Sequence, residues 1–204
     1  MNAPAPETSS QSSTQGMNVV ALTGRRIDAA GAASPRFPLD HTSLVQERIR
    51  TVLRDTKAGM LVSSAACGAD LLALEAAREL GLCMRVILPF AREQFRETSV
   101  VDRPGDWGVL FDRLMDTAER EGAVCQLEVG LDKHDAYIRV VDTILDVAAD
   151  CANRTRKGEI ADVPGIVTAA AVWDGQSRGS RDVTGAFLQG AHDRGITVRD
   201  VYTY

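Results

Sequence analysis

Two segments of the chain carry small and cationic residues at a spacing that suits phosphate binding. In the first, the apolar residues 61–62 lead into small side chains at 63–66 and 68, and apolar residues then continue at helical spacing. The first turn of such a helix exposes unpaired N–H groups with a partial positive charge. The alternative is that the small residues only let a helix pack closely on a sheet. The residues of this segment that we expect at a ligand are Ser63, Ser64, Gly68, Ala69 and Asp70.

The second segment is an apolar run at 19–22 that ends in Thr23 and Gly24 and is followed at once by Arg25 and Arg26. The guanidinium group of arginine matches a phosphate or carboxylate in both charge and geometry. All four residues are therefore candidates for ligand binding, although only one of the arginines needs to point into the site. We expect this turn and the helix start at Gly68 to face one pocket.

With both segments in view, the chain resembles the SLOG superfamily, a Rossmann-like group that includes the DprA/SMF, YpsA-like and Lonely guy proteins. The turn at 23–26 resembles the TGHR turn of YpsA-like proteins, with Arg25 in place of the histidine. The segment 63–70 resembles their SG-x-A-x-G-x-D element, with Ser64 in place of glycine. The resemblance implies a Rossmann-like fold and a ligand derived from a nucleotide.

The same resemblance extends to two later turns. YpsA-like proteins have a strand that ends in Pro-Phe, which Pro89 and Phe90 match. The segment 174–182 resembles an Asp-Gly followed by a Gly-Gly-Thr turn in which backbone amides and a hydroxyl hold a phosphate. The residues that this implies at the ligand are Asp174, Gly175, Gly179 and Ser180. Here Arg178 replaces the first glycine of the turn, and its bulk excludes the same close backbone approach.

Asp182 is the candidate catalytic carboxylate. In Lonely guy enzymes, the carboxylates that follow the phosphate turn are used in N-glycosidic cleavage; Asp182 is near the first such position, but Val183 occupies the second. The alternative for Asp182 is a helix N-cap, for which asparagine would serve about as well. Tyr137, Asp142 and Asp146 resemble remnants of a further family cluster, with a solvated acidic helix face as the alternative.

The elements that position these turns alternate between strand and helix patterns. Strands are predicted at 19–24, 59–66, 83–90, 123–129, 166–173 and 197–204, and helices at 41–57, 69–80, 106–120, 135–152 and 182–194, with a short helix inside a surface loop at 91–105. This alternation predicts an α/β fold, a three-layer Rossmann-like sandwich with a mainly parallel sheet flanked by helices. All the candidate turns lie at the carboxyl ends of strands, and parallel sheets bind their ligands at these ends.

Composition limits the classes of protein that fit. The 204 residues are 45% hydrophobic and carry a net charge of −5, which indicates one domain with a real core and argues against a nucleic-acid surface. Residues 1–17 are predicted to be a disordered tail, and 18–204 a single domain. With no secretory or membrane-spanning pattern, a cytoplasmic protein is expected. Four cysteines without metal or disulfide spacing, and three scattered histidines, predict no metal site.

These observations lead to one functional hypothesis and its rivals. The chain is predicted to bind or sense a small nucleotide or nucleotide derivative, through its phosphate and ribose, at the carboxyl ends of the strands. The rival is an N-glycosidase, phosphoribohydrolase or ribosyltransferase that acts on a nucleotide, and a DNA-processing role ranks third. No separate cofactor and no membrane partner are predicted. The sequence is compatible with a homo-oligomer.

Overall fold

The computed structural model describes residues 14–127, 133–179 and 181–204. Among them, six strands and six α-helices alternate along the chain. The strands are β1 Val19–Gly24, β2 Met60–Ser63, β3 Cys83–Leu88, β4 Val124–Gln126, β5 Val167–Trp173 and β6 Thr197–Tyr202. The α-helices are α1 Thr42–Asp55, α2 Ala69–Glu79, α3 Arg92–Ser99, α4 Trp107–Arg120, α5 Lys133–Ala152 and α6 Val183–Asp193, and a 3-10 turn at Leu39–His41 precedes α1.

The strands form one parallel sheet in the order β4-β3-β2-β1-β5-β6. In the centre, Val19 of β1 lies opposite Met60 of β2 on one side and opposite Val167 of β5 on the other. The direction of strand addition therefore reverses between β1 and β5, which is the switch point where open α/β sheets bind ligands. The predicted Rossmann-like sandwich with a parallel sheet is confirmed.

Both faces of the sheet are covered because successive side chains of a strand point to opposite sides. Val20 and Leu22 of β1 pack into a core with α1, α2, α3 and α4. Val19 and Ala21 pack into a second core with α5 and α6. This two-sided burial explains why the strands are runs of apolar residues without alternation.

The predicted boundaries hold well for helices and less well for strands. The helices expected at 41–57, 106–120 and 182–194 are α1, α4 and α6, each within two residues at either end. The strand expected at 59–66 ends at Ser63, because the chain turns away from the sheet and the Cys67 amide donates to the Ser99 carbonyl at 3.0 Å. The strand expected at 123–129 is observed at Val124–Gln126, and residues 128–129 lie outside the described part.

Residues 1–13 of the predicted tail lie outside the described residues, so their disorder stays a prediction. The last four residues of the 1–17 range are described. Thr14 contacts the Asp162 side chain, the Gly16 amide donates to the Val163 carbonyl at 2.8 Å, and the Met17 amide donates to the Arg154 carbonyl at 3.0 Å. In the described part of the chain, none of the helices has both the length and the apolar character needed to span a membrane.

Candidate functional site

A cavity of about 270 Å³ opens at the switch point of the sheet. Its walls come from the turn after β1, the turn between β2 and α2, the loop before α6, and residues of α3 and α5. Because parallel strands all end at the same edge, segments far apart in the chain meet here. The cavity is therefore the place where the sequence motifs converge.

Two glycines hold the first two motifs against each other. A Cβ on Gly24 would lie 2.5 Å from the Val172 Cβ and 2.6 Å from the Ala69 Cβ, closer than side-chain carbons approach. A Cβ on Gly68, whose φ is +94°, would lie 2.8 Å from the Ile27 amide nitrogen and 2.9 Å from the Arg25 carbonyl oxygen. The Ala69 amide donates to that same carbonyl at 3.1 Å. The small residues thus bring the two turns together. The first amide of α2 donates to a backbone carbonyl and is not available to a ligand.

Arg25 points inward but is committed to the protein. Its Nη1 and Nη2 donate to the two carboxylate oxygens of Asp182 at 2.8 and 3.1 Å, and Nη2 also reaches the Gln176 carbonyl. Its Nε lies 3.5 Å from Asp174. Arg25 and Asp182 are only 4% and 5% exposed. Since both charges are desolvated, this bidentate pair ties the β1 turn to the loop before α6.

Asp182 is fully occupied by hydrogen bonds. Besides Arg25, it accepts the Thr184 amide at 3.1 Å as the N-cap of α6 and the Arg178 amide at 2.8 Å. Burial would raise the pKa of Asp182, but the hydrogen bonds from Arg25 and from the Arg178 amide outweigh it and hold the pKa below its usual value. Such a carboxylate stays ionised and has no proton to donate.

Asp174 stabilises the same loop through ion pairs with two arginines. Its carboxylate lies within ion-pair distance of Arg25 and, at 3.4 Å, of Arg36. Arg36 also donates to the Gln176 carbonyl at 3.1 Å. Asp174 is thus a structural partner of two arginines rather than a wall of the cavity.

The cavity carries an excess of positive charge. Five of its lining residues are arginines and three are aspartates: Arg25, Arg26, Arg103, Arg178 and Arg181 against Asp28, Asp70 and Asp182. Within the described residues, the guanidinium groups of Arg178 and Arg181 have no carboxylate within 4.0 Å. Arg178 and Arg181 are exposed residues of the cavity lining. Partial desolvation and the neighbouring charges of Arg25 and Arg36 lower the pKa of Arg178. An anion at this position would relieve that repulsion.

Arg26 and Arg103 form the opposite rim. Both pair with Asp102, Arg26 through a direct hydrogen bond and Arg103 at 3.6 Å. The Nε of each is buried and has no hydrogen-bond partner among the described residues. Buried N–H groups without partners are costly, and they mark positions where a ligand or water accepts.

Asp70 forms part of the floor of the cavity. It is 5% exposed, one oxygen accepts the Ala66 amide at 3.2 Å, and Oδ1 is buried without a partner in the described chain. Burial raises the pKa of Asp70 to about 7, although the Ala66 amide and the charge of Arg26 oppose the shift. A buried, strongly shifted carboxyl group in a cleft is typical of functional sites.

The remaining wall is less polar. Phe95, Val140 and Val141 line it together with Tyr137, whose hydroxyl is 2.5 Å from the Ser99 hydroxyl. Phe90 stands behind Tyr137 in an edge-to-face contact with ring centroids 6.0 Å apart. This wall places apolar side chains next to hydroxyl groups.

The structure brings most of the predicted site residues to this edge, but not all of them into the cavity. Those that line it are Thr23, Gly24, Arg25, Arg26, Ser64, Asp70 and Asp182. Of the predicted residues that are described, those not in its lining are Ser63, Gly68, Ala69, Pro89, Phe90, Asp174, Gly175 and Gly179. Ser180 lies outside the described residues.

Several lining residues were missed or misjudged from the sequence. Ser99 and Arg103 lie in the segment 91–105, which the sequence presents only as a polar surface segment. Arg178 was assigned no ligand role from the sequence, because its bulk excludes a close backbone approach to the turn; the structure adds that this residue lines the cavity. The signal that could have found it is the pair of arginines at 178 and 181, spaced around the turn that follows β5.

The acidic pair on α5 has a different environment. Asp142 and Asp146 both pair with Arg194, at 3.6 and 2.9 Å, on the outer side where α5 meets α6. Neither residue lines the cavity. Among the described residues, no group of three or more His, Cys, Asp or Glu side chains could hold a metal ion.

The fold and the site define a Rossmann-like α/β protein with a cationic cavity at the switch point of its sheet. Neither a protein-family model nor a curated protein matches the chain. Solved structures that it matches include DNA processing protein A from Streptococcus pneumoniae, with 13% identity and a TM-score of 0.46, over 91% of this chain and 50% of that one. Another is the structural-genomics target TM1055, with 16% identity and a TM-score of 0.40, over 89% and 72%. The chain thus spans half the length of the first, and neither match assigns a ligand or an activity to it.

Proposed function

We propose that the cavity binds a small nucleotide or nucleotide derivative, with the phosphate held by Arg178 and Arg181. The observation that carries this proposal is that two guanidinium groups on the cavity wall have no carboxylate partner among the described residues, in a cavity that is already rich in positive charge. A dianionic phosphate is the ligand group that such a pair of arginines recognises best.

The size of the cavity limits the ligand. Its volume of about 270 Å³ is just below the usual range of ligand sites, which is roughly 300–1,000 Å³. A mononucleotide fits this volume better than a dinucleotide. The ring of Tyr137 and the side chains of Val140 and Val141 supply an apolar surface for the base, and Thr23 and Ser64 supply hydroxyl groups for the ribose.

Titration calorimetry with nucleoside 5′-monophosphates tests this proposal. Replacing Arg178 or Arg181 by alanine removes a charge-assisted contact of about 1.5–3 kcal/mol, so we expect each variant to lose roughly tenfold to a hundredfold in affinity. Arg199→Ala is the matched control, because Arg199 is an exposed arginine on β6 that does not line the cavity. Equal affinity in Arg178→Ala, Arg181→Ala, their double variant and the control would rule out this phosphate position.

A nucleotide N-glycosidase or ribosyltransferase is the second candidate, and one observation favours it. Asp182 is held ionised by four hydrogen bonds. Asp70 has a pKa of about 7 and an oxygen that has no partner within the described part of the chain, so it could protonate a leaving base near neutral pH. Product analysis after incubation with nucleoside monophosphates, NAD and ADP-ribose separates this activity from binding alone. Release of free base that is lost in Asp70→Asn would establish the enzyme, and unchanged nucleotides would leave the binding function.

A further inference from the structure

Among the described aspartates that line the cavity, Asp70 is the one with a buried carboxyl oxygen that has no hydrogen-bond partner. Asp182 has partners on both oxygens. Asp28 accepts the Arg36 and Phe37 amides on one oxygen, Oδ2, each at 2.8 Å, and its Oδ1 is not among the buried polar atoms that lack a partner in the described residues. Asp70 receives only the Ala66 amide, at 3.2 Å, and its Oδ1 is buried with no partner in the described residues. An ionised oxygen left in that state is strongly penalised, whereas a protonated one needs only an acceptor.

Of the residues that the structure describes, none places a cationic side chain in direct contact with the Asp70 carboxyl group. Arg26 acts on it through space, but its guanidinium is hydrogen-bonded to Asp102. The other charged or titratable groups that face the cavity are Arg25, Asp28, Arg103, Tyr137, Arg178, Arg181 and Asp182, and the thiol of Cys67 lies on the turn before α2. The ion pairs that link α2 to α1 and α4 involve Glu79 and Glu75, further along the helix.

We infer that Asp70 meets the bound anion as a protonated carboxylic acid and donates a hydrogen bond from Oδ1 to it, so that binding takes up one proton from solvent. The inference rests on the proposed function, because it assumes an anionic ligand in this cavity. The arginines provide the attraction, and Asp70 makes that attraction depend on pH. An ionised Asp70 would instead repel the ligand from the floor of the site.

The sign of the effect follows from the shifted titration of this group. Burial already raises the pKa of Asp70 to about 7, and a neighbouring anion raises it further. Protonating Asp70 on binding therefore costs free energy only above about pH 7, where the carboxyl group of the empty site is ionised. Affinity is therefore constant below that pH and falls as the pH rises. Arginine does not titrate in this range, and burial raises the pKa of Cys67 above its usual value, so neither explains such a change.

Sulfate is a suitable probe, because it is a tetrahedral oxyanion whose charge does not change between about pH 6 and about pH 8.5. Its binding is measured by calorimetry at constant ionic strength for the native protein, Asp70→Asn and Asp28→Asn. We expect the native affinity to fall roughly tenfold or more from about pH 6 to about pH 8.5. Asp70→Asn should show no such fall, and Asp28→Asn should keep it.

A second measurement covers the case in which Asp70→Asn does not fold. Carbon-13 NMR of the aspartate carboxyl groups in the native protein should show one group with a midpoint near pH 7, and saturating sulfate should move that midpoint upward. If sulfate binds with the same pH dependence in the native protein and Asp70→Asn, or if no such carboxyl group titrates, the inference is overturned while the anion site stands. If nucleoside 5′-monophosphates bind the native protein but sulfate does not bind at any pH, the inference falls and the proposed function stands; if neither binds, both fall together.

Discussion

At the scale of single residues, the Arg25–Asp182 pair decides what the site can do. It joins two positions 157 residues apart. Because the Arg25 guanidinium and the Asp182 carboxylate bind each other, neither is available for direct contact with a ligand. A desolvated, bidentate pair of this kind is costly to break, because the remaining partner becomes an unpaired buried charge. The pair therefore holds two walls of the cavity together, and we propose that other arginines bind the ligand.

The first prediction concerns this pair. Asp182→Asn keeps the shape and the helix cap but places an amide N–H₂ group against the Arg25 guanidinium, so we expect a loss of about 3–5 kcal/mol in the free energy of unfolding. Urea denaturation near neutral pH measures it. Asp106→Asn is the control, because Asp106 precedes α4 without a side-chain cap bond and is exposed; its effect should stay within about 0.5 kcal/mol. Equal effects in both variants would show that the cap, not the ion pair, is what Asp182 provides.

The second prediction concerns Asp70 in the protein without ligand. Its pKa is raised from 3.8 to about 7 in the folded state, so it stabilises the fold fully below pH 3.8 and loses this contribution as the pH rises to about 7. The unfolding free energy of the native protein should fall relative to that of Asp70→Asn by up to about 1.4 kcal/mol per pH unit in this window. Parallel pH profiles for the two proteins would contradict the shifted pKa.

The sequence identified about a third of the residues that line the cavity. Thr23, Gly24 and Asp70 were predicted because each belongs to a local motif whose chemistry is visible in a few neighbouring residues. The partner of Arg25 was not predictable, because nothing local indicates which of many distant carboxylates the fold brings to it. Asp182→Asn was accordingly expected to be nearly neutral, an expectation that rested on helix capping alone and that the Arg25 contact reverses.

At the scale of elements, the β1 turn and the start of α2 act as one unit. The contacts of Gly68 with the backbone of residues 25–27 fix the distance between these elements, and the Ala69 amide locks their register. Both elements also contribute residues to the wall of the cavity. A change in their spacing therefore changes the site as well as the stability of the fold.

The third prediction tests that contact. In Gly68→Ala, the new Cβ would lie within 3 Å of two backbone atoms at a φ of +94°, so we expect a loss of about 3 kcal/mol or more in stability and weakened nucleotide binding. Gly81→Ala is the matched control just beyond the other end of α2, with a φ of +66° and open space around the Cβ position. It should lose only about 1–2 kcal/mol through backbone strain. Similar losses in the two variants would show that conformation alone, not the close approach, requires Gly68.

Helices were easier to predict than strand ends. A helix such as α4 repeats its apolar residues over several turns, so its limits follow from the pattern. The end of β2 depends instead on where the chain leaves the sheet to make the Cys67–Ser99 hydrogen bond, which is a tertiary contact. The short β4 is likewise limited by how far it pairs with β3.

At the scale of the whole molecule, the order of the strands is what assembles the site. With β1 in the centre and β5 beside it, the turns after both strands open onto one cavity. The sequence predicted that the candidate turns share one edge, because all parallel strands end there. It did not predict the strand order, which depends on packing between distant segments.

The fourth prediction concerns the boundary of the domain at its N-terminal side. Thr14, Gly16 and Met17 hydrogen bond to the segment 154–163, and Met17 packs against the core beneath α5 and α6. A chain that begins at residue 18 should therefore be less stable than one that begins at residue 14, by about 2–4 kcal/mol. Thermal and urea denaturation of the two chains measure the difference. Identical stability would place the boundary at residue 18, as the sequence predicted.

The most direct test of the central claim is a crystal structure of the protein with a nucleoside 5′-monophosphate at saturating concentration. We expect the phosphate oxygens within about 3.2 Å of the guanidinium groups of Arg178 and Arg181, with the sugar and base extending toward Tyr137 between the β1 turn and α5. A nucleotide bound elsewhere on the molecule, or a cavity that holds only water under these conditions, would contradict the claim that the cationic cavity at the switch point is a nucleotide site.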